Sequence, residues 1–277
     1  MATVRELLLR AADLPAESAR LDTEILLSHS LGRSRGWLYT WPEARVEAQQ
    51  QALFEGLLAR RREGEPVAYL IGLREFWSLQ LKVTDATLIP RPETETLVAW
   101  ALELPLPAAT PVLDMGTGSG AIALAVASER NAWNVTAVDN SSPALEIARV
   151  NAERHGLGRV RFLQSDWFSA LAAERFGLIL ANPPYIDVND PHLERGDLRF
   201  EPRCALAAPG QGFVDLRRLI EAAPAHLCPA GWLLLEHGSE QGAGVRALLQ
   251  SAGFDAVETR CDLAGLERVS GGCLHAE

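Results

Sequence analysis

Several large classes of protein leave marks that this sequence does not carry. Its 277 residues include four cysteines, Cys204, Cys228, Cys261 and Cys273. None forms a CxxC pair and their spacing fits no zinc site, so they read as small buried hydrophobes in a reducing compartment. The six histidines are scattered, with no HExxH pattern and no ligand cluster, and no metal is expected. No apolar run is long enough to span a membrane. The stretch MATVRELLLRAADLPAES is amphipathic with internal charges, unlike a signal peptide. A cytoplasmic protein with no membrane partner is expected. Basic residues are also short: 26 Lys and Arg stand against 36 Asp and Glu, a net charge of −10. That balance argues against a broad grip on nucleic acid, which needs cations to neutralise phosphates, and favours a basic protein partner. Internal repeats and low-complexity tracts are missing too.

What is present is ordinary globular material, 48% hydrophobic and 22% charged, enough for a sizeable core in one large or two ordinary domains. Apolar residues at helical spacing predict helices over Val4–Ala12, Leu21–Leu31 and Glu43–Arg62, with Leu31-Gly32 as a helix stop. Glu65-Pro66 breaks this pattern. Partial alternation over Ala68–Thr84 predicts a β-hairpin linker, and the proline-pinned loop Ile89–Glu95 leads into a helix over Thr96–Leu104. From Pro111 strands and helices alternate. The strands are Val112–Met115, Val135–Asp139, Val160–Gln164, Leu178–Ala181 and Trp232–Glu236, and helices begin near Gly120, Ser142, Phe213 and Gln241. Such alternation implies a mostly parallel sheet covered on both faces, and Ala256–Cys261 with Glu267–Ser270 reads as an antiparallel hairpin at its end. The expected fold is α/β with a helical domain over residues 1–66, a hairpin linker over 67–88 and a catalytic domain over 89–277.

Ligand chemistry is expected where the strands end. Asp114-Met115-Gly116-Thr117-Gly118-Ser119-Gly120 follows the first strand and opens a helix. Its glycines permit a sharp turn and close approach to a ligand. The spacing is G-x-G-x-G, not the G-x-G-x-x-G of dinucleotide sites. Asp114 would pair with the cationic amino-acid end of S-adenosylmethionine and would sit poorly beside a pyrophosphate. Asp139, ending the second strand, can accept from both hydroxyls of a ribose. Asp166 can accept from an adenine amino group, and Trp167 can stack on the ring, although a packed surface aromatic is an equal reading for Trp167. These features together predict an S-adenosylmethionine-dependent methyltransferase.

The fourth strand runs into Asn182-Pro183-Pro184-Tyr185. An amide nitrogen is a poor nucleophile because its lone pair is delocalised. Acceptors for its N–H groups fix its orientation and let charge develop on it. Asn182 offers a side-chain carbonyl, Pro183 a backbone carbonyl, and the prolines hold both rigid. Tyr185 offers a flat wall. The prediction is methyl transfer to a planar amide or amino nitrogen, with Asn182, Pro183 and Tyr185 catalytic and Pro184 at the substrate site. No general base is assigned, since the methylated nitrogen is acidic enough to lose its proton to water.

The chain resembles the release factor glutamine methyltransferases, the PrmC/HemK family. The resemblance runs through GLREFWSL, IPRPETE, DMGTGSG, AVDNSSPAL, SDWF, NPPYID, RFEPRCAL and LLLEHG, nearly all of residues 67–277. NPPY also occurs in DNA adenine methyltransferases, but the combination is far more specific. Cys204 stands where an apolar residue is expected. The resemblance implies a class I methyltransferase fold with a seven-stranded sheet. It implies methylation of N5 of the glutamine in the Gly-Gly-Gln motif of bacterial release factors 1 and 2. It further implies a helical N-terminal domain that grips the release factor, cofactor contacts at Gly116–Gly120, Asp139, Trp167 and Asn182, and substrate contacts at Asn182–Tyr185.

Other readings stay open. Arg91, Glu93 and Glu95 can line a substrate mouth, or the two glutamates can simply begin the next helix. Glu201 and Arg203 can pair to fix the loop after NPPY. Glu236 and His237 can support the site from a strand end. The alternative functions are a ribosomal-protein glutamine methyltransferase, a nucleic-acid amino methyltransferase, a nicotinamide oxidoreductase and a non-catalytic binding module. The negative charge, the glycine spacing and the intact NPPY count against the last three in turn.

Overall fold

Hydrophobic spacing and chain stops divide the protein into two compact units, Met1–Leu73 and Arg74–Glu277. The structure, a computed structural model, describes residues 1–14 and 18–275. The first unit contains α1 (Val4–Leu8), α2 (Ala19–Leu31), α3 (Arg35–Thr40), α4 (Ala48–Arg62) and α5 (Val67–Ile71). Thr3 and Glu6 form a reciprocal capping box on α1. Gly32, at φ +61°, ends α2 in the left-handed conformation, as Leu31-Gly32 signalled. Leu26, Leu27, Leu38, Phe54 and Leu58 form the centre of this unit's core. Arg61 is paired with Asp22 at 2.8 Å.

Three elements depart from the sequence reading. Residues 67–71, expected in the hairpin linker, are one turn of helix. Pro66 leads into it and Gly72, at φ +71°, stops it. The helix expected from Glu43 begins at Ala48. Helix α3 had no signal, because Leu38 is the one residue it buries.

The hairpin β1 (Leu73–Phe76) and β2 (Leu79–Lys82) comes next, all but Leu73 belonging to the second unit. Its turn residues Trp77 and Ser78 both have positive φ, which matches the twist of a two-residue hairpin. Next come α6 (Glu95–Glu103), β3 (Pro111–Met115), α7 (Ala121–Glu129), β4 (Asn134–Asp139), α8 (Ser142–Arg154), β5 (Arg161–Gln164) and β6 (Phe176–Ala181). A short strand pair, β7 (Ile186–Asp187) and β8 (Ala207–Ala208), brackets α9 (Arg203–Leu206). The chain continues through α10 (Val214–His226), β9 (Leu227–Glu236), α11 (Gly242–Ser251), β10 (Phe254–Cys261) and β11 (Glu267–Leu274).

Among the described residues, seven strands form one sheet in the order β10-β11-β9-β6-β3-β4-β5. The β9 to β5 portion is parallel and β11 is antiparallel to both neighbours. Alternate residues face opposite layers. Val112, Leu178 and Leu180 pack with α6 and α7, while Leu113, Met115, Ile179 and Ala181 pack with α10 and α11. Among the described residues, no helix is long and apolar enough to cross a membrane.

The cysteines correct their reading. None is buried, and Cys204 and Cys261 are exposed. Cys204 shares the single turn of α9 with Leu206, the one residue that turn buries, and it lines the cavity at the sheet edge.

Candidate functional site

Parallel pairing brings the carboxyl ends of five strands to one edge. Met115 lies beside Val138 and Ala181, Asp139 beside Gln164, and Ala181 beside Leu235. The residues that follow each strand therefore meet. The glycine loop, Asp139, Trp167 and Asn182 share this edge, and a cavity of about 250 Å³ opens there.

The loop is pinned from below. Gly116 and Thr117 both donate backbone N–H groups to Val138 O at 2.9 Å. Gly116, Gly118 and Gly120 all have positive φ. A Cβ on Gly116 would touch the Trp167 ring at 3.5 Å, so the indole lies against the loop. Trp167 itself has φ +49°, an unfavourable conformation for a bulky residue. Its Nε1 donates to Asp215 Oδ1 at 3.3 Å, and its carbonyl accepts from Ser165 Oγ at 2.6 Å.

Gly116, Gly118, Asp139, Asp166, Trp167, Asn182 and Pro184 line the cavity. Asp139 accepts from Gly118 N at 2.8 Å and Ser141 N at 2.9 Å. Burial raises its pKa, and these backbone bonds oppose the rise. Asp166 accepts from both Arg218 terminal nitrogens at 2.9 Å, so the expected adenine acceptor is already engaged by a guanidinium. Thr117, Ser119 and Gly120 shape the loop without lining the cavity. Thr117 Oγ1 donates to Asp114 Oδ2 at 2.6 Å, and Ser119 O accepts from Asn151 Nδ2 at 2.8 Å.

Asp114 is fully buried and also accepts from Ala123 N at 3.1 Å. Burial pushes its pKa up to about 7. The carboxylate lies beneath the loop, holding it to the start of α7, and is not part of the cavity wall. Its Oδ1 has no protein partner. This orphaned buried oxygen, the accepting Asp139, the flat Trp167 and the open space at Gly118 fit a ligand with a cation, a diol and an aromatic ring.

The NPPY segment is held from several sides. Asn182 Nδ2 donates to Thr94 Oγ1 at 3.2 Å. Pro183 is buried. The Tyr185 hydroxyl turns inward and donates to Glu236 Oε1 at 3.1 Å. Burial and then the neighbouring Glu236 charge push its pKa up. Glu236 is fully buried, and that burial raises its pKa to about 7 against hydrogen bonds from Thr94 and Tyr185. Gln241 Nε2 donates to Tyr185 O at 3.1 Å and Gln211 O at 3.0 Å, fastening the tyrosine backbone to the loop before α10.

The residues expected at a substrate mouth do not converge. Arg91 pairs with Glu201, which also accepts from Ile89 N at 3.0 Å. Glu93 is exposed, and Glu95 accepts from Trp77 N at 2.9 Å. Glu201 and Arg203 do not pair with each other. Glu201 is buried whereas Arg203 is exposed, and Arg203 bonds the exposed Glu194 at 2.5 Å. His237 is buried and bonded to Gly238 O and Ser270 Oγ, both at 2.8 Å. Sequence reasoning missed the Thr87-Leu88 wall of the cavity and the contribution of Asp215 and Arg218. It also gave Thr94 and Gln241 no role. Their signals were the quoted IPRPETE motif and the glycines at 210 and 212.

Two family models match the chain: "PrmC N-terminal domain" over residues 6–72 and "Methyltransferase small domain" over residues 95–194. The release factor glutamine methyltransferase of Pseudomonas aeruginosa is 52% identical, covering 95% of this chain and 96% of that protein. The enzyme of that name from Escherichia coli is 49% identical, covering 92% of each. A methyltransferase from Pyrococcus furiosus superposes with a TM-score of 0.56 at 18% identity, over 80% of this chain and 99% of that one, a likeness of fold.

Proposed function

This chain belongs to the family of release factor glutamine methyltransferases, and from that membership we propose that its cavity binds S-adenosylmethionine for transfer of a methyl group to N5 of the glutamine in the Gly-Gly-Gln motif of release factors 1 and 2. When bound, S-adenosylmethionine supplies an electrophilic methyl group on a sulfonium. Asp139 would hold its ribose hydroxyls and Trp167 would cover its adenine. Asp114 contributes negative charge beneath the loop, toward the cationic end of the cofactor.

Asn182 Oδ1 and Pro183 O accept from the two N–H groups of the substrate amide and fix its lone pair toward the methyl group. The bound cofactor would supply the methyl group to this nitrogen and take the leaving electron pair on its sulfur, and a proton of the amide would leave to water. The acceptors strengthen as positive charge builds on nitrogen, which is where differential binding raises the rate. Unit Met1–Leu73 serves to hold the release factor and takes no part in the chemistry.

The observation that carries this reading is the placement of Asn182. It stands on the cavity wall with Asp139 and Trp167, and its amide NH₂ is committed to Thr94. That leaves the oxygen for a substrate donor. The test is incubation with unmodified release factor and S-adenosylmethionine, followed by peptide mass spectrometry. One methyl group on the Gly-Gly-Gln glutamine is expected. Methylation confined to other residues would overturn the assignment.

A further inference from the structure

Thr94 stands at the start of α6, where a threonine hydroxyl ordinarily accepts from a backbone N–H in the first turn. Here it makes no capping bond. The side chain is buried, 4% exposed, and accepts from Asn182 Nδ2 across 88 residues of sequence. The Glu236 carboxylate is near enough for the Thr94 hydroxyl to favour its charged form. Glu236 Oε2 nevertheless makes no hydrogen bond of standard geometry, so this contact is a loose one. Glu236 Oε1 takes the Tyr185 hydroxyl.

We propose that Thr94, backed by Glu236, is a positioning residue that decides which way the Asn182 amide faces. An ionised carboxylate only accepts, so the adjacent hydroxyl turns its single proton toward it and its lone pairs toward Asn182. Lone pairs receive only the NH₂ half of an amide. The oxygen half is left for the cavity. Without the hydroxyl, the two amide orientations are nearly equal in shape, and the flipped one would set donors against the donors of a substrate amide. The same carboxylate holds Tyr185, so one buried acid at the end of β9 steadies both ends of Asn182–Tyr185. This inference rests on the glutamine-amide reading above.

The test uses the full chain with release factor at about pH 8, where a group titrating near 7 is ionised. Thr94→Val keeps the shape and removes the hydroxyl, while Thr94→Ser keeps the hydroxyl. Single-turnover methylation at saturating S-adenosylmethionine should slow by about 10–100-fold in the valine variant, the scale of a misplaced reacting group. Cofactor affinity should hold, and serine should restore most of the rate. A second measurement separates orientation from general support. Asn182→Asp has no N–H to give Thr94, so adding Thr94→Val to it should cost nothing more. Equal slowing in both backgrounds would overturn the proposal, as would a wild-type rate in Thr94→Val alone. Thr94→Ala gives the same comparison should the valine variant not fold. Asn182→Ala distinguishes the failures. If it is inactive while Thr94→Val is fully active, only the positioning role falls; if both are fully active, the amide reading falls as well.

Discussion

Asp139 and Glu236 are both carboxyl groups at strand ends, and their surroundings give them different work. Asp139 lines the cavity with its oxygens steadied by two backbone N–H groups. Asp139→Ala should weaken S-adenosylmethionine binding by about 1.5–3 kcal/mol, because the lost partner is charged. Calorimetry showing unchanged affinity would contradict its assignment to the ribose. Glu236 is sealed in the interior with its pKa raised to about 7 from an ordinary 4.5. A carboxyl raised on folding stabilises the native state fully at pH values below its unfolded pKa. That contribution is lost as pH climbs through the folded value, since the native state then holds more protons than the unfolded one. Glu236→Gln stays neutral throughout. Its denaturant midpoint should fall less than that of the wild type between about pH 5 and about pH 8. Parallel pH profiles for the two proteins would show that Glu236 does not titrate in this way.

At the scale of elements, the loop before α10 acts as a backstop for NPPY. A Cβ on Gly212 would lie 1.9 Å from Tyr185 O, and its φ of +78° also favours glycine. Gly212→Ala should therefore push the Tyr185 backbone toward the site, at an overpacking cost of about 1–3 kcal/mol. Turnover should fall more than cofactor affinity, and a variant with wild-type turnover and melting temperature would show that the close approach is unimportant. The sheet was readable in advance because its strands are short, apolar and separated by turn signals, and the chemistry at their ends falls within continuous motifs. Helix α5 was not, since AYLIGL suits a strand as well as a helix until Gly72 is seen to stop it. The side-chain partnerships were invisible for another reason. Arg91 and Glu201 are 110 residues apart, and Tyr185 and Gln241 are 56 apart. Neither pair repeats at any helical or strand period. Periodicity reveals which face a residue lies on, not which distant residue it meets. Asp114 shows the same limit: its position at a strand end was legible, its burial beneath the loop was not.

For the whole molecule, a net charge of −10 suits association with a basic protein surface better than with a phosphate backbone. The two compact units suggest a division of labour that can be tested by removing the first. A chain that begins at Arg74, once circular dichroism confirms that it folds, should bind S-adenosylmethionine with unchanged affinity. It should methylate a short Gly-Gly-Gln peptide normally but intact release factor poorly, and full-rate methylation of intact release factor would contradict the recognition role. The central claim is that Asn182 accepts from the glutamine amide as charge builds on nitrogen. Its most direct measurement is single-turnover methylation of release factor by Asn182→Ala at saturating S-adenosylmethionine, beside cofactor affinity for the same variant. Loss of one preorganised acceptor predicts a fall of about 10²–10³-fold in rate with the fold intact. A near-wild-type rate would contradict the account at its centre.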